Sequence, residues 1–176
     1  MDMPSKAVFF DRDGVLNVDK SYLYKIEELE WVDGAKDAVK FLTELGYLIF
    51  VVTNQSGIAR GYYSCDDMLK LHQYMTEEII KSGGKIDAFY YCPHLPNGSV
   101  PEYAIECDCR KPKPGLLLKA MAEFAVDKEK SFLIGDKMRD VESAKAAGIK
   151  GYLFEQGNLL EFIKKLLIKE ENLLNQ

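Results

Sequence analysis

Short apolar runs alternate along the chain with segments whose apolar residues recur at helical spacing. The runs at 7–10, 47–52, 86–91, 131–135 and 149–154 predict buried strands. The segments at 35–45, 66–81, 116–124, 140–148 and 159–174 predict helices. Strands that alternate with helices in this way indicate an α/β fold, a doubly wound parallel sheet with helices on both faces.

The length and composition narrow the class of protein. The 176 residues suit a single domain over 1–176, with a core over about 6–165 and a C-terminal helix and tail over 158–176. The net charge of −5 argues against a nucleic-acid partner. No apolar run approaches the roughly 20 residues of a membrane span, and the N-terminus lacks the shape of a signal peptide. We therefore expect a cytoplasmic protein without a membrane partner, and a monomer, since no long exposed apolar stripe is evident beyond the last helix.

Two aspartates, Asp11 and Asp13, directly follow the first predicted strand, and Gly14 comes next. Open α/β sheets bind their ligands at this edge, and alternate residues of an extended chain point the same way. Two carboxylates this close repel each other unless a cation lies between them or one keeps a proton. The pair therefore suggests a magnesium site, a nucleophile or an acid–base residue, and the plainer alternative is a capped acidic turn.

Polar residues also follow two other predicted strands. Asp136 ends the strand at 131–135, and Asp140 lies one helical turn later, so Asp136 is placed to complete a magnesium site with Asp11 and Asp140 to support it. The cluster after the strand at 47–52 offers hydroxyl, amide and backbone N–H donors to an anionic oxygen, or forms an ordinary loop and helix cap. That cluster consists of Thr53, Asn54, Gln55 and Ser56.

Three cysteines and a histidine form two closely spaced clips, which are Cys92 with His94 and Cys107 with Cys109. Together they complete a tetrahedral Zn²⁺ set with no open position, which predicts a structural zinc ion. The alternative is a group of buried unpaired thiols. We expect little besides the metal to order the intervening loop, 95–106, which is rich in turn residues. Cys65 is expected to be a bystander, and His72 a surface or packing residue.

A basic turn with Arg110, Lys111 and Lys113 follows the second clip. Arginine offers a planar fork to paired oxygens and lysine a point charge, so the turn suits a phosphate monoester, although a solvated basic turn is the plain alternative.

The segment 17–33 predicts a hairpin or flap that brings Asp19 and Tyr22 near a ligand. Carboxylates, hydroxyls and cations at one sheet edge suggest magnesium-dependent phosphoryl transfer, and no G-x-x-x-x-G-K-[ST] loop is present.

These motifs resemble the four signatures of the haloacid dehalogenase (HAD) superfamily. The match comprises Asp11-Arg12-Asp13-Gly14, Thr53-Asn54, Lys111, and Gly135-Asp136 with Asp140. Within that superfamily the chain resembles the D-glycero-D-manno-heptose 1,7-bisphosphate phosphatases over about 6–165, through the stretch 53–61, the zinc clips and 135–137. The intervals between motifs are too short for a cap domain, so the resemblance implies a capless member. Tyr24 departs from the histidine that these phosphatases often carry.

The resemblance also implies roles for the residues of the motifs. Asp11 would be the nucleophile and Asp13 the general acid and base, with Mg²⁺ held by Asp11, Asp136 and the backbone carbonyl of Asp13. Thr53 and Lys111 would hold the phosphoryl oxygens. The substrate, a small sugar bisphosphate, would be contacted by Asp19, Tyr22, Asn54, Gln55, Ser56, Arg110 and Lys137.

The resemblance further implies removal of the C7 phosphate through an aspartyl-phosphate, in ADP-heptose and lipopolysaccharide core synthesis. Two alternatives stay open. One is a phosphatase acting on histidinol phosphate or another small monoester, and the other is a zinc-ordered binding protein with no turnover.

Overall fold

A computed structural model describes residues 3–174. The strands are β1 (Ala7–Phe10), β2 (Leu48–Asn54), β3 (Ala88–Cys92), β4 (Phe132–Gly135) and β5 (Lys150–Leu153). The helices are α1 (Ala35–Glu44), α2 (Cys65–Lys81), α3 (Gly115–Glu123), α4 (Met138–Ala146) and α5 (Leu159–Leu174). In this range no helix combines the length and the apolar character that crossing a membrane requires.

The strands form one parallel sheet in the order β3-β2-β1-β4-β5. Phe9 in the central strand pairs with Phe50 of β2 on one side and Leu133 of β4 on the other. The chain winds outward from β1 in one direction and then returns to continue from β4 in the other. The gap between the ends of β1 and β4 is therefore the topological switch point, where α/β sheets bind ligands. The predicted doubly wound fold is confirmed.

Helices cover both faces of the sheet. Val8 and Phe10 point to the core that contains α1, α2 and α5, whereas Ala7 and Phe9 point to the core that contains α3 and α4. All four side chains of β1 are fully buried, because the strand lies at the centre of the sheet with helices above and below. This double burial explains why its sequence is continuously apolar instead of alternating.

The second strand runs further than its apolar residues predict. β2 continues to Asn54, and Thr53 and Asn54 pair with Tyr91 and Cys92 of β3. Polar side chains do not end a strand while the backbone still has a partner, so the polar cluster begins inside the sheet. Thr53 is thereby buried, at 1% exposure.

The segment between β1 and α1 forms the predicted flap. It is closed by an antiparallel bridge between Asn17 and Trp31 and by a hydrogen bond from Val18 N to Glu30 O (2.8 Å). A short 3-10 helix, Ile26–Glu28, lies within it. Between residues 11 and 34 and between 93 and 114, the described chain has no α-helix or strand of its own, as expected of a capless member.

The loop between the two cysteine clips is held by more than its metal-ligand residues. Leu95 N donates to Tyr103 O (3.1 Å), and Val100 N donates to Ala59 O (2.9 Å). A 3-10 helix, Pro101–Tyr103, adds a further turn. The expectation that little besides a metal orders this loop is therefore wrong, because backbone hydrogen bonds tie it to itself and to the segment after β2.

Candidate active site

The carboxylates of Asp11 and Asp136 meet at the switch point of the sheet. Asp11 follows β1, and its backbone N–H donates to Ile134 O of β4 (3.0 Å), which continues the pairing of the two strands past the end of β1. Gly14 has a φ of 89°, and a Cβ at this position would overlap the Asp136 carboxylate. Only glycine permits this turn and this close approach, which bring the two carboxylates to one point.

The ammonium group of Lys111 lies among these carboxylates. Its Nζ donates to Asp11 Oδ1 (3.0 Å) and to Val52 O (2.9 Å), and it pairs with Asp140 Oδ1 (2.6 Å). Lys111 is 2% exposed. Burial by itself lowers the pKa of Lys111, but the two carboxylates outweigh it and the pKa lies above its usual value. The group is therefore a fixed cation next to Asp11.

The acidic residues fit a divalent cation. Asp11, Asp136 and Asp140 each offer an oxygen within 4.8 Å of the others, and carboxylate oxygens are the ligands Mg²⁺ prefers. Burial raises the pKa of Asp11 well above its usual range; Lys111 opposes this, whereas Asp140, Asp136 and Asp13 add to it. Both oxygens of Asp140 are engaged, by Lys111 and by Lys137 N (3.1 Å). Asp11 and Asp136 are thus the side chains left to contact the ion.

The Asp13 carboxylate is held by three side chains. Its Oδ1 accepts from Arg12 Nη2 (2.9 Å) and Asn17 Nδ2 (3.0 Å), and its Oδ2 accepts from Gln55 Nε2 (3.2 Å). These donors come from the turn after β1, from the flap and from the end of β2. They fix the orientation of a carboxylate that is only partly buried.

Gln55 links the second strand to the flap. Its Nε2 also donates to Thr53 Oγ1 (2.8 Å), and its Oε1 accepts a short hydrogen bond from the Tyr63 hydroxyl. Tyr63 stacks on Tyr24 of the flap, with ring centroids 5.2 Å apart. Burial raises the pKa of Tyr63, so its hydroxyl remains a donor. Tyr24, the residue that departs from the family pattern, thus contacts the site through Tyr63 and Gln55.

Asn54 is paired with the backbone of Lys111. Its Oδ1 accepts from Lys111 N (3.0 Å), and its Nδ2 donates to Lys111 O (3.2 Å). This pairing fixes the basic turn against the end of β2 and directs the lysine to Asp11. Lys113, in contrast, is exposed and donates to Cys107 O (2.7 Å). A direct contact of Asn54 with a substrate stays a prediction.

Most of the sequence-predicted site residues line two adjoining clefts. The first cleft is lined by Asp11, Asp13, Asp19, Asn54, Lys111, Asp136, Lys137 and Arg139. The second, of about 290 Å³, is lined by Asp13, Asp19, Ser21, Tyr22, Asn54, Gln55, Ser56, Arg60, Tyr63, Arg110 and Arg139. Thr53 lines neither cleft; it is buried, and its hydroxyl accepts a hydrogen bond from Gln55 Nε2. A larger cavity, about 700 Å³, lies at the opposite edge of the sheet and contains none of these residues.

Two arginines of the second cleft were missed by sequence reasoning. Arg60 lies over the ring of Tyr22 at 5.6 Å, and Arg139 belongs to the first turn of α4. Together with Arg110 they give this cleft three guanidinium groups. Arg60 lies within the stretch 53–61, and Arg139 directly precedes Asp140, so the only signal in the sequence was that each arginine lies close to a motif.

The four residues of the cysteine clips converge on one point. Cys92 Sγ lies 3.5 Å from Cys107 Sγ and 3.7 Å from His94 Nδ1, and Cys109 Sγ lies 3.5 Å from His94 Nδ1. A tetrahedral zinc site with bonds of about 2.3 Å requires separations of roughly 3.5 to 4 Å, so the residues fit Zn²⁺. A hydrogen bond from Cys92, with His94 and Cys107 also contributing, lowers the pKa of Cys109 to about 5, which favours a thiolate there.

The sequence predicted either a surface position or a packing position for His72. The structure shows a buried, packed side chain. It is 3% exposed, and its Nε2 lies 3.0 Å from Arg12 Nη1. Sequence reasoning found no partner because Arg12 is 60 positions away in the chain. Cys65 lies outside the cysteine cluster, with its Sγ 3.4 Å from the Tyr103 hydroxyl.

The known proteins that this chain resembles agree on one class of protein. The HAD-hydrolase-like family model matches residues 108–161. The chain is 48% identical to the D-glycero-beta-D-manno-heptose-1,7-bisphosphate 7-phosphatase of Pasteurella multocida over 82% of this chain and 78% of that protein. It is also 48% identical to the D-glycero-alpha-D-manno-heptose-1,7-bisphosphate 7-phosphatase of Campylobacter jejuni, over 84% and 80%. The D,D-heptose 1,7-bisphosphate phosphatase of B. bronchiseptica, solved with magnesium and phosphate, superposes with a TM-score of 0.76 at 32% identity, covering 91% of this chain and 86% of that one.

The parallel sheet and the aspartate–lysine cluster at its switch point define a phosphatase of the HAD class, a phosphoric monoester hydrolase. Within that class, the chain belongs to the family of D-glycero-D-manno-heptose-1,7-bisphosphate 7-phosphatases. HAD phosphatases use Mg²⁺, and the acidic cluster described above is suited to bind it.

The ion pairs of Lys111 lead to a prediction about stability. We expect Lys111→Met to lower the free energy of unfolding by about 3–5 kcal/mol, because two buried carboxylates lose their cation. Adding Asp140→Asn should restore part of this loss, since it removes one of the unpaired charges. Urea unfolding at a fixed metal concentration measures both. An exposed ion pair contributes up to about 1 kcal/mol to stability. A smaller loss than this for Lys111→Met would contradict the role given to these buried ion pairs.

Proposed function

We propose that this protein removes the C7 phosphate of D-glycero-D-manno-heptose 1,7-bisphosphate in a magnesium-dependent reaction. The observation that carries the proposal is the pair of adjoining clefts, which share Asp13, Asp19, Asn54 and Arg139. One cleft holds Asp11 beside Lys111, and the other holds three arginines. A substrate with two phosphates can occupy both clefts at once, and the names of the relatives support this substrate.

In the first step, an oxygen of Asp11 attacks the phosphorus of the C7 phosphate, and the bond from phosphorus to the sugar oxygen breaks. Asp13 donates its proton to the departing sugar oxygen. In the second step, Asp13 takes a proton from water, which attacks the aspartyl-phosphate and releases inorganic phosphate and free Asp11. The arrangement of the Asp13 carboxylate, oriented by Arg12, Asn17 and Gln55, supports this acid–base role.

Charge at the phosphoryl group is offset from several sides. The side chains of Asp11 and Asp136 and the backbone carbonyl of Asp13 would hold Mg²⁺, which would supply positive charge to the phosphoryl oxygens. Lys111 adds a second positive charge, and Thr53 is proposed to act with it, because its hydroxyl accepts from Gln55 and so keeps its own proton to donate. Asp140 holds Lys111 in place, and its contact of 2.6 Å supports that role.

The second cleft is proposed to hold the sugar and the C1 phosphate. Arg110 and the newly identified Arg60 and Arg139 would bind the phosphate, because a guanidinium group matches paired oxygens. The remaining polar side chains would contact the hydroxyls of the sugar; they are Asp19, Tyr22, Asn54, Gln55, Ser56 and Lys137. Ser21 and Tyr22 have positive φ values of 56° and 68°, a costly conformation that directs the flap tip toward this cleft.

The Cys–His cluster is proposed to hold a structural Zn²⁺ through Cys92, His94, Cys107 and Cys109. The cluster immediately precedes Arg110, whose Nη1 donates to His94 O (3.4 Å). Zinc would thereby fix the start of the basic turn, so that the arginine reaches one cleft and Lys111 the other. With four protein ligands, the ion would have no position left for substrate or water.

The proposal includes a monomeric protein in the cytoplasm that serves ADP-heptose and lipopolysaccharide core synthesis. The names of the bacterial relatives support the pathway.

The substrate is tested by measuring phosphate release with Mg²⁺. We expect turnover of the β or α anomer of heptose 1,7-bisphosphate far above that of histidinol phosphate, with Asp11→Asn inactive as the blank. The relatives with 48% identity act, by their names, on opposite anomers, so both anomers are needed. Equal or better turnover of histidinol phosphate would replace the heptose assignment. If a folded, zinc-loaded protein turned over none of these substrates, the alternative of a binding protein without turnover would replace the proposed activity.

The second cleft is tested by neutralising its charges. We expect Arg60→Gln or Arg110→Gln to raise KM for heptose 1,7-bisphosphate roughly tenfold to a hundredfold, since each removes a charge-assisted hydrogen bond. Heptose 7-phosphate, which lacks the C1 phosphate, should be affected much less. Lys145→Gln, an exposed change of equal charge outside both clefts, is the control. Equal effects on both substrates would contradict a C1-phosphate site.

The zinc proposal is tested by metal content and recovery. We expect the purified protein to hold one zinc ion, and Cys109→Ser to lose it along with most of the activity, whereas Cys65→Ser keeps both because it lies outside the cluster. After treatment with a strong chelator, activity should return only when Zn²⁺ and Mg²⁺ are both added. Full recovery with Mg²⁺ alone would rule out the structural role of zinc.

A further inference from the structure

Arg12, between the two aspartates of the first motif, is fully buried. A guanidinium group stays protonated inside a protein and can only donate hydrogen bonds. Its Nη2 donates to Asp13 Oδ1 (2.9 Å) and to Leu23 O of the flap (2.9 Å), and its Nη1 lies 3.0 Å from His72 Nε2 of α2. One buried cation thus joins the turn after β1, the flap and a helix behind them.

The contact with Arg12 determines the protonation of His72. Because the guanidinium cannot accept a hydrogen bond, Nε2 must carry a lone pair, and the neutral ring has its proton on Nδ1. Burial lowers the pKa of His72 well below its usual value, and the Arg12 charge adds to this effect. The ring also stacks on Phe89 of β3, with centroids 4.1 Å apart and planes at 13°. His72 is therefore a rigid, neutral acceptor.

We infer that His72 is a positioning residue, which acts through Arg12 to hold the Asp13 carboxylate in the orientation that proton transfer requires. Arg12 Nη1 has no other hydrogen-bond partner among the described residues. Without the His72 acceptor, a buried donor would be left unpaired, and the guanidinium would shift to satisfy it. Asp13 Oδ1 would then lose one of its two donors. The inference rests on the proposed function, in which Asp13 is the acid.

The inference predicts a loss that depends on the leaving group. The value of kcat/KM reports the transfer of the phosphoryl group to Asp11, a step in which a sugar oxygen needs the proton of Asp13. The nitrophenolate of p-nitrophenyl phosphate leaves without a proton. A displaced Asp13 should therefore slow the sugar phosphate much more than the aryl phosphate, whereas general damage to the fold should slow both alike.

Four variants separate these effects. His72→Phe keeps the aromatic stack on Phe89 but removes the acceptor, and His72→Gln returns an acceptor oxygen near the position of Nε2. His72→Asn, whose amide is too short to reach Arg12, is the second acceptor-deleting variant should the first unfold. Met75→Ala removes a fully buried side chain from the same helix and serves as the control for lost packing.

With heptose 1,7-bisphosphate and Mg²⁺, we expect His72→Phe and His72→Asn to lower kcat/KM on the order of tenfold to a hundredfold. With p-nitrophenyl phosphate the loss should stay below about threefold, and His72→Gln should recover most of the sugar-phosphate activity. Thermal unfolding of each variant shows that it is folded.

Equal losses on both substrates, or the same selective loss in Met75→Ala, would overturn the inference. If the wild-type protein hydrolyses other alkyl phosphates but not the heptose bisphosphate, the proposed substrate is wrong. The same comparison is then made with the alkyl phosphate that it does hydrolyse, so the positioning role of His72 is tested independently of the heptose assignment.

Discussion

The ion pairs of Lys111 with Asp11 and Asp140 are the interaction on which the site depends. They join the end of β1, the basic turn and the first turn of α4 at the switch point of the sheet. Several carboxylates brought out of water at one point repel each other, and a buried cation among them offsets that repulsion. The cation that stabilises the convergence is also the group proposed to meet the phosphoryl oxygens, so stability and the proposed chemistry depend on the same ammonium group.

Around this cluster, many polar residues of the motifs hold other residues in place. Asn54 uses both ends of its amide on the backbone of Lys111, and Gln55 bridges Asp13, Thr53 and Tyr63. These contacts fix side-chain orientations before any ligand arrives, which lowers the cost of ordering them during the reaction. Asn54 and Gln55 therefore orient other residues of the site.

The flap and the basic turn that follows the cysteine clips contribute to the walls of the second cleft. The clips lead directly into Arg110, and the flap brings Tyr22 beside Arg60. A sheet alone provides the edge at which the carboxylates meet, but it offers no wall to surround a sugar. In this protein without a cap domain, loops provide that wall, and they are held by backbone hydrogen bonds and stacked aromatic rings.

The sequence by itself determined the order of strands and helices along the chain. It also determined the strand ends that carry Asp11 and Asp136, and the grouping of the four zinc-ligand candidates. Each of these signals is local, because hydrophobic periodicity and ligand spacing are written in neighbouring residues. Only the tertiary structure decided that His72 contacts Arg12, that Arg60 and Arg139 share a cleft, and that β2 continues to Asn54. Those features depend on contacts between segments far apart in the chain, which no local pattern records.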